Sequence, residues 1–167
     1  EDLGDESDTT SLKFTGISNL AHAYNRLNVI SINIGAYPRA LQQAERSLAY
    51  SERVGNSVRI ALLLGNIGIV YLRLGDCEKA LDYYHKALPI LEELGNQKGM
   101  AGMILNIGIV YEEMKHHEKA LDYYRQALAV YEEIGEPAGA ATALSNIGKL
   151  YGAMGENSSM MEYFLRA

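Results

Sequence analysis

Twenty of the forty residues in 61–100 recur unchanged, in register, in 101–140. A unit copied end to end cannot bury its apolar face alone, so it has to stack on its neighbours. Stacked units give an extended surface rather than a closed pocket. The repeat thus bears on function before any single residue does: such a chain is expected to hold something against its side.

One copy reads L-G-N-I-G-I-V-Y-L-R-L-G-D-C-E-K-A-L-D-Y-Y-H-K-A-L from residue 64 to 88, and the next I-L-N-I-G-I-V-Y-E-E-M-K-H-H-E-K-A-L-D-Y-Y-R-Q-A-L from 104 to 128. A third begins L-S-N-I-G-K-L-Y at Leu144, and a degenerate one precedes them. Leu64, Ile67, Gly68 and Tyr71 fall at i, i+3, i+4 and i+7, which is helical spacing rather than the alternation of a strand. Small residues (Gly68, Ala80, Ala87; Gly108, Ala120, Ala127) stand where two helices approach closely, and Tyr71, Tyr84, Tyr111 and Tyr124 fill the space between. Gly75-Asp76 supplies a left-handed C-cap and then an N-cap, and Gly55-Asn56, Gly95-Asn96 and Gly135-Glu136-Pro137 break the chain again at similar intervals. Pro38 and Pro137 follow turn signals, where a proline at the first helical position is tolerated. The pattern predicts helices of roughly 16–18 residues joined by very short turns. In the third unit Lys115-His116-His117 replaces Gly-Asp-Cys, so that turn lacks its glycine.

The pattern L-x-x-L-G-x-x-Y…G-D-x-x-x-A-L-x-Y-Y-x-x-A-L resembles the tetratricopeptide repeat. Leu64, Ile67, Gly68, Tyr71, Gly75, Ala80, Tyr84 and Ala87 carry it, with counterparts forty residues on. The family's usual period is about 34 residues; the longer period here is similar to that of spindle-orientation scaffolds, kinesin light chains and bacterial arrays fused to signalling enzymes. The resemblance implies an all-α, right-handed superhelical solenoid of about four antiparallel helix pairs, over units at about residues 13–55, 56–95, 96–135 and 136–167.

The first unit aligns least directly. I-S-N-L-A-H-A-Y at 17–24 matches L-S-N-I-G-K-L-Y at 144–151, and this alignment places seven extra residues before Gly35. Seven residues complete nearly two helical turns, so the same face stays inward, and the first helix is expected to be two turns longer than its sisters. The opening E-D-L-G-D-E-S is similar to E-E-L-G-N-Q-K and reads as the tail of an earlier repeat. Residues 1–12, with the polar run 4–11, are expected to be a loose lead-in. Both ends read as cut from a longer array, which leaves Val29, Ile30, Ile32 and Ile34, and Met160, Met161, Tyr163 and Phe164, as apolar residues through which copies are expected to self-associate.

A net charge of −6 argues against nucleic-acid binding. One cysteine, Cys77, at a turn points to a reducing compartment, with the cytoplasm as the expected location. No apolar run approaches the ~20 residues of a membrane span.

In a stack of helix pairs the first helices line the concave side. Asparagine stands two residues before each contact glycine, at Asn66, Asn106 and Asn146, with Asn19 matched to it before Ala21. A side-chain amide both donates and accepts, so it pairs with a peptide backbone in either direction without reading side-chain identity. The resemblance implies that such a ladder grips an extended peptide; the competing reading is four solvated residues inherited by duplication. One turn on, the groove carries His22, Ile69, Ile109 and Lys149, a partly apolar wall for a ligand side chain. The lysine/arginine clamp of some family members finds only Leu62, Gly65, Ile69, Gly102, Leu105 and Ile109 at its positions. Adjacent His116 and His117 point about 100° apart on a helix and do not converge on a metal. The sequence holds no catalytic constellation, phosphate loop or cofactor motif. The expected function is a protein-interaction module for a peptide or protein segment. The alternatives are a regulatory domain of a larger signalling enzyme, such as a nucleotide cyclase or kinase, and a self-associating assembly module.

Overall fold

The computed structural model describes the backbone of residues 5–167 and the side chains from residue 13 onward. Among the described residues there are eight helices and no strand: α1 (Asp5–Asn33), α2 (Tyr37–Arg53), α3 (Ser57–Arg73), α4 (Cys77–Glu93), α5 (Gln97–Glu113), α6 (His117–Glu133), α7 (Pro137–Ala153) and α8 (Asn157–Arg166). Helices α2 to α7 are each 17 residues long, as the turn signals predict. Pro89 lies inside α4, which keeps the length of its sisters and so loses a backbone donor without ending.

Each helix packs antiparallel on the next, giving the pairs α1–α2, α3–α4, α5–α6 and α7–α8. Across units the backbones of α1 and α3, α3 and α5, and α5 and α7 approach closely, whereas the even helices stand farther apart, α8 reaching α6 through Arg166 and Glu132 at 3.5 Å. The layer whose backbones approach is the inner layer of the curve. The odd helices therefore line the concave side of an all-α solenoid.

The turns repeat every twenty residues. Gly35, Gly55, Gly75, Gly95, Gly135 and Gly155 all take φ between 61° and 81°, and Asn56, Asp76 and Asn96 cap the next helix by accepting from the backbone N–H of Arg59, Lys79 and Gly99. The Lys79 ammonium and N–H both hydrogen-bond to Asp76 and hold its carboxyl below the usual range. The third unit keeps the same turn without the glycine: Lys115 takes φ 62°. A non-glycine residue in that region carries a strain of order 1 kcal/mol. Lys115→Gly is expected to raise the free energy of urea unfolding by roughly that amount, less the entropy glycine adds to the unfolded chain; a lowered midpoint would show that the turn is unstrained.

Packing within a unit pairs a glycine with an aromatic ring. A Cβ at Gly68 would lie 2.6 Å from the Tyr84 ring, one at Gly108 2.6 Å from Tyr124, and one at Gly148 3.0 Å from Phe164. Both tyrosine rings are fully buried. Tyr71 and Tyr111, read from the sequence as fillers of the same gap, instead lie half-buried and stack on Tyr83 and Tyr123, with ring centroids 5.5 and 5.3 Å apart.

The first unit obeys the same geometry with different chemistry, and it corrects two expectations. Counting back from Gly35 at the common spacing places Asn28 opposite Gly68 and Ser31 opposite Tyr71, so no seven-residue insertion is present. Ala44 stands where the other units have an aromatic ring, and fully buried Asn28 fills the gap, its amide donating to the Ala40 carbonyl at 2.8 Å. Ser31 donates to Gln43 at 2.7 Å where the other units stack two tyrosines. Helix α1 is indeed longer than its sisters, at 29 residues, but the added length lies at its N-terminal end. Residues 5–12, expected as a loose lead-in, are helical: no glycine or proline falls between Asp5 and Thr15 to stop the helix. Residues 1–4 and most of the reading of an earlier repeat's tail lie outside the described residues. Of the terminal apolar residues, Val29, Ile30, Ile34, Met161 and Phe164 are exposed.

Candidate functional site

The forty-residue period puts Asn66, Asn106 and Asn146 at one position of α3, α5 and α7, each half-buried on the inner layer. Ile69 and Ile109, one turn on, are also half-buried, and Lys149 is exposed. Two neighbouring clefts join α3 to α5. One, of about 280 Å³, is walled by Leu62, Gly65, Asn66, Ile69, Gly99 and Met103, among others. Gly65 and Gly99 let neighbours pack close to the backbone here: a Cβ would come within 2.8 Å of Met103 at the first and 2.7 Å of Leu91 at the second. The second, of about 220 Å³, is lined by Ile69, Leu72, Arg73, Tyr84, Asn106, Ile109 and Glu113. Ile69 lines both, so the two clefts adjoin, with one ladder asparagine in each. Asn146 and Lys149 continue the row on α7 outside these clefts.

The structure does not bring Asn19 and His22 into that row. Both are exposed on α1, and the common register places Asn19 opposite Arg59 and Gly99, and His22 opposite Leu62 and Gly102. Arg26 and Val29, both exposed, hold the ladder position and the position one turn on. The seven-residue slip hid them: Asn19 and Arg26 share a helix face, so apolar patterning does not distinguish the two alignments. The glycine spacing does.

The ladder asparagines are not equivalent. The Asn66 amide donates to Asn28 Oδ1 at 3.0 Å and Asn25 Oδ1 at 3.4 Å, tying α3 to α1. Its hydrogens are thereby engaged, which leaves its carbonyl oxygen to accept from a ligand. Among the described residues, Asn106 and Asn146 have no such side-chain partner, so each offers both halves of the amide.

The sequence pattern marks Tyr84 only as a packing residue. Its hydroxyl is buried without a hydrogen-bond partner at the edge of the second cleft. Burial pushes that hydroxyl far above the usual tyrosine range, and Arg73 draws it partly back. Its counterpart Tyr124 donates to Glu112 Oε2 at 2.5 Å. His116 and His117 lie with Lys115, Glu118 and Lys119 around a shallow hollow beside Met154, and no cluster of three metal-ligating side chains occurs among the described residues.

A family model described as tetratricopeptide repeat matches residues 19–93 and 99–167. The chain belongs to the tetratricopeptide repeat family. Among solved structures, BtubC (BKLC) from P. vanneervenii superposes with a TM-score of 0.75 at 23% identity, over 87% of this chain and 61% of that one. Aspartyl phosphate phosphatase F from Bacillus subtilis gives 0.82 at 18% identity, over 87% and 38% of the two chains. A Rap protein complexed with competence and sporulation factor gives 0.81 at 18% identity, over 92% and 42%. At these identities the likeness is one of fold. This tetratricopeptide array spans about four- to six-tenths of the length of those chains. Nothing among the curated proteins matches it in sequence. No helix among the described residues is long and apolar enough to cross a membrane.

Proposed function

We propose that this tetratricopeptide array captures an extended segment of a partner protein in the trough between α3 and α5, continued along α7, and that it acts as a cytoplasmic binding module rather than an enzyme. The observation that carries this reading is the pair of adjoining clefts, each holding one ladder asparagine and sharing Ile69. In it Asn106 and Asn146 donate to and accept from the peptide backbone, Asn66 accepts from a backbone N–H, and Ile69 and Ile109 cover a ligand side chain. Asn19 and His22 have no part in this groove. Peptide binding by a protein of the same fold, the Rap regulator in complex with the Phr* peptide, is consistent with it.

The two asparagines make separable expectations, tested on a peptide selected from a displayed random library and measured by calorimetry. Asn106→Ala is expected to leave thermal stability unchanged and to weaken binding by about 0.5–1.5 kcal/mol, the value of one neutral hydrogen bond. Asn66→Ala is expected to weaken binding and also to destabilise the fold by about 1–3 kcal/mol, because buried Asn28 Oδ1 loses its donor. A selected peptide that binds Asn106→Ala as tightly as the unaltered chain would overturn the ladder's role.

A further inference from the structure

Tyr84 and Tyr124 hold one position in consecutive units, each ring fully buried against a glycine. Their hydroxyls meet different surroundings. Tyr124 donates to Glu112, whereas the residue forty positions before Glu112 is Leu72, and the Tyr84 hydroxyl has no acceptor. A buried hydroxyl without a partner is costly, and the fourth unit avoids the problem with Phe164 at the same position.

The Tyr84 hydroxyl lies where a ligand can be met. With Ile69, Leu72, Arg73, Asn106, Ile109 and Glu113 it lines the second cleft. Arg73 is the charge that acts on it, and no ion pair among the described residues ties Arg73 to Glu113. The next unit shows which acceptor fits this position, a carboxylate at residue 112. We infer that the second cleft is a side-chain subsite for an aspartate or glutamate of the bound peptide, with the Tyr84 hydroxyl donating to its carboxylate, Arg73 balancing its charge, and Ile69 and Ile109 covering its methylenes. This rests on the groove reading above. The hydroxyl has almost no exposed surface of its own, so the incoming carboxylate displaces the half-buried Leu72 side chain and takes the place Glu112 fills one unit on. Glu113 and the net charge of −6 oppose an acidic ligand at longer range, so the preference is a short-range one made by the hydroxyl.

The test is selection of phage-displayed random dodecapeptides on the full chain, followed by affinity measurements on the peptides recovered. The expected result is enrichment of aspartate or glutamate at one fixed position. Replacing that acid by its amide should weaken binding to the unaltered chain about tenfold, the loss of one hydrogen bond to a charged group. Tyr84→Phe should bind the acidic peptide about tenfold more weakly and no longer distinguish acid from amide. It keeps the ring, so its melting temperature should be unchanged or higher. Leu72→Glu supplies an internal acceptor, so it should raise the melting temperature and lower the same affinity. Peptides recovered without an acidic preference, or a preference equal in the unaltered chain and Tyr84→Phe, would overturn the subsite and leave the groove standing. Recovery of no peptide would overturn both.

Discussion

Replacing Tyr124 by alanine is expected to destabilise the array by about 3–5 kcal/mol, the range for removing a fully buried aromatic side chain. The ring presses on the backbone at Gly108, so α5 and α6 are held together across a gap that only a large side chain fills. Tyr124→Phe, which keeps the ring and loses the bond to Glu112, should cost far less, about 1 kcal/mol. The first unit suggests a rescue. There the large residue is on the other helix: Asn28 fills the gap from α1 and Ala44 faces it. Gly108→Asn combined with Tyr124→Ala recreates that pair, with the Ala120 carbonyl at the position of the Ala40 carbonyl that Asn28 uses. The double variant should recover part of the loss in urea unfolding followed by circular dichroism, giving a coupling energy well away from zero. Simple additivity of the two changes would mean that the units do not share this packing rule.

The repeat makes most of this architecture legible in the sequence. Turn glycines at even spacing fixed the helix lengths, and Gly68 and Gly108 marked the close approaches, because both signals are local and steric. The first unit is ambiguous in sequence for a physical reason. A slip of seven residues leaves the same helix face inward, so I-S-N-L-A-H-A-Y aligned well with L-S-N-I-G-K-L-Y, and nothing in the apolar pattern penalised the error. What marks the true register is polar: Asn28, Ser31 and Ser47 sit in the core because the Ala40 carbonyl, Gln43 and the Ala21 carbonyl meet them there. Such partners are visible only when two helices are brought together. The site shows the same division. Period alone put Asn66, Asn106 and Asn146 in one row, but that the Asn66 amide is already engaged by α1, and that the Tyr84 hydroxyl is unanswered, depends on residues 38 and 12 positions away.

Between units the size rule changes hands, and Gly139→Val is expected to break it. A Cβ at Gly139 would lie 2.4 Å from the Tyr131 ring, closer than a side chain tolerates, and Tyr131 is itself buried at the junction of α6 and α7. The same junction one unit earlier pairs Leu91 with Gly99, where a Cβ would come within 2.7 Å, and the equivalent positions of the one before hold buried Ser51 and Arg59, whose guanidinium reaches the Ser18 carbonyl at 3.1 Å. As the residue on the even helix grows from serine to leucine to tyrosine, its partner on the odd helix shrinks from arginine to glycine. A valine at 139 forces α7 away from α6, at a cost of about 1–3 kcal/mol. In a stack whose stability is a sum of unit and neighbour terms, that loss falls on the coupling between the third and fourth units rather than on either unit's own packing. The expected result is therefore a change in cooperativity. Amides of α7 and α8 should exchange with solvent well before those of α3 to α6, and urea unfolding should broaden. Uniform loss of protection along the whole chain would show instead that the array unfolds as one unit and that this junction holds no separate share of its stability.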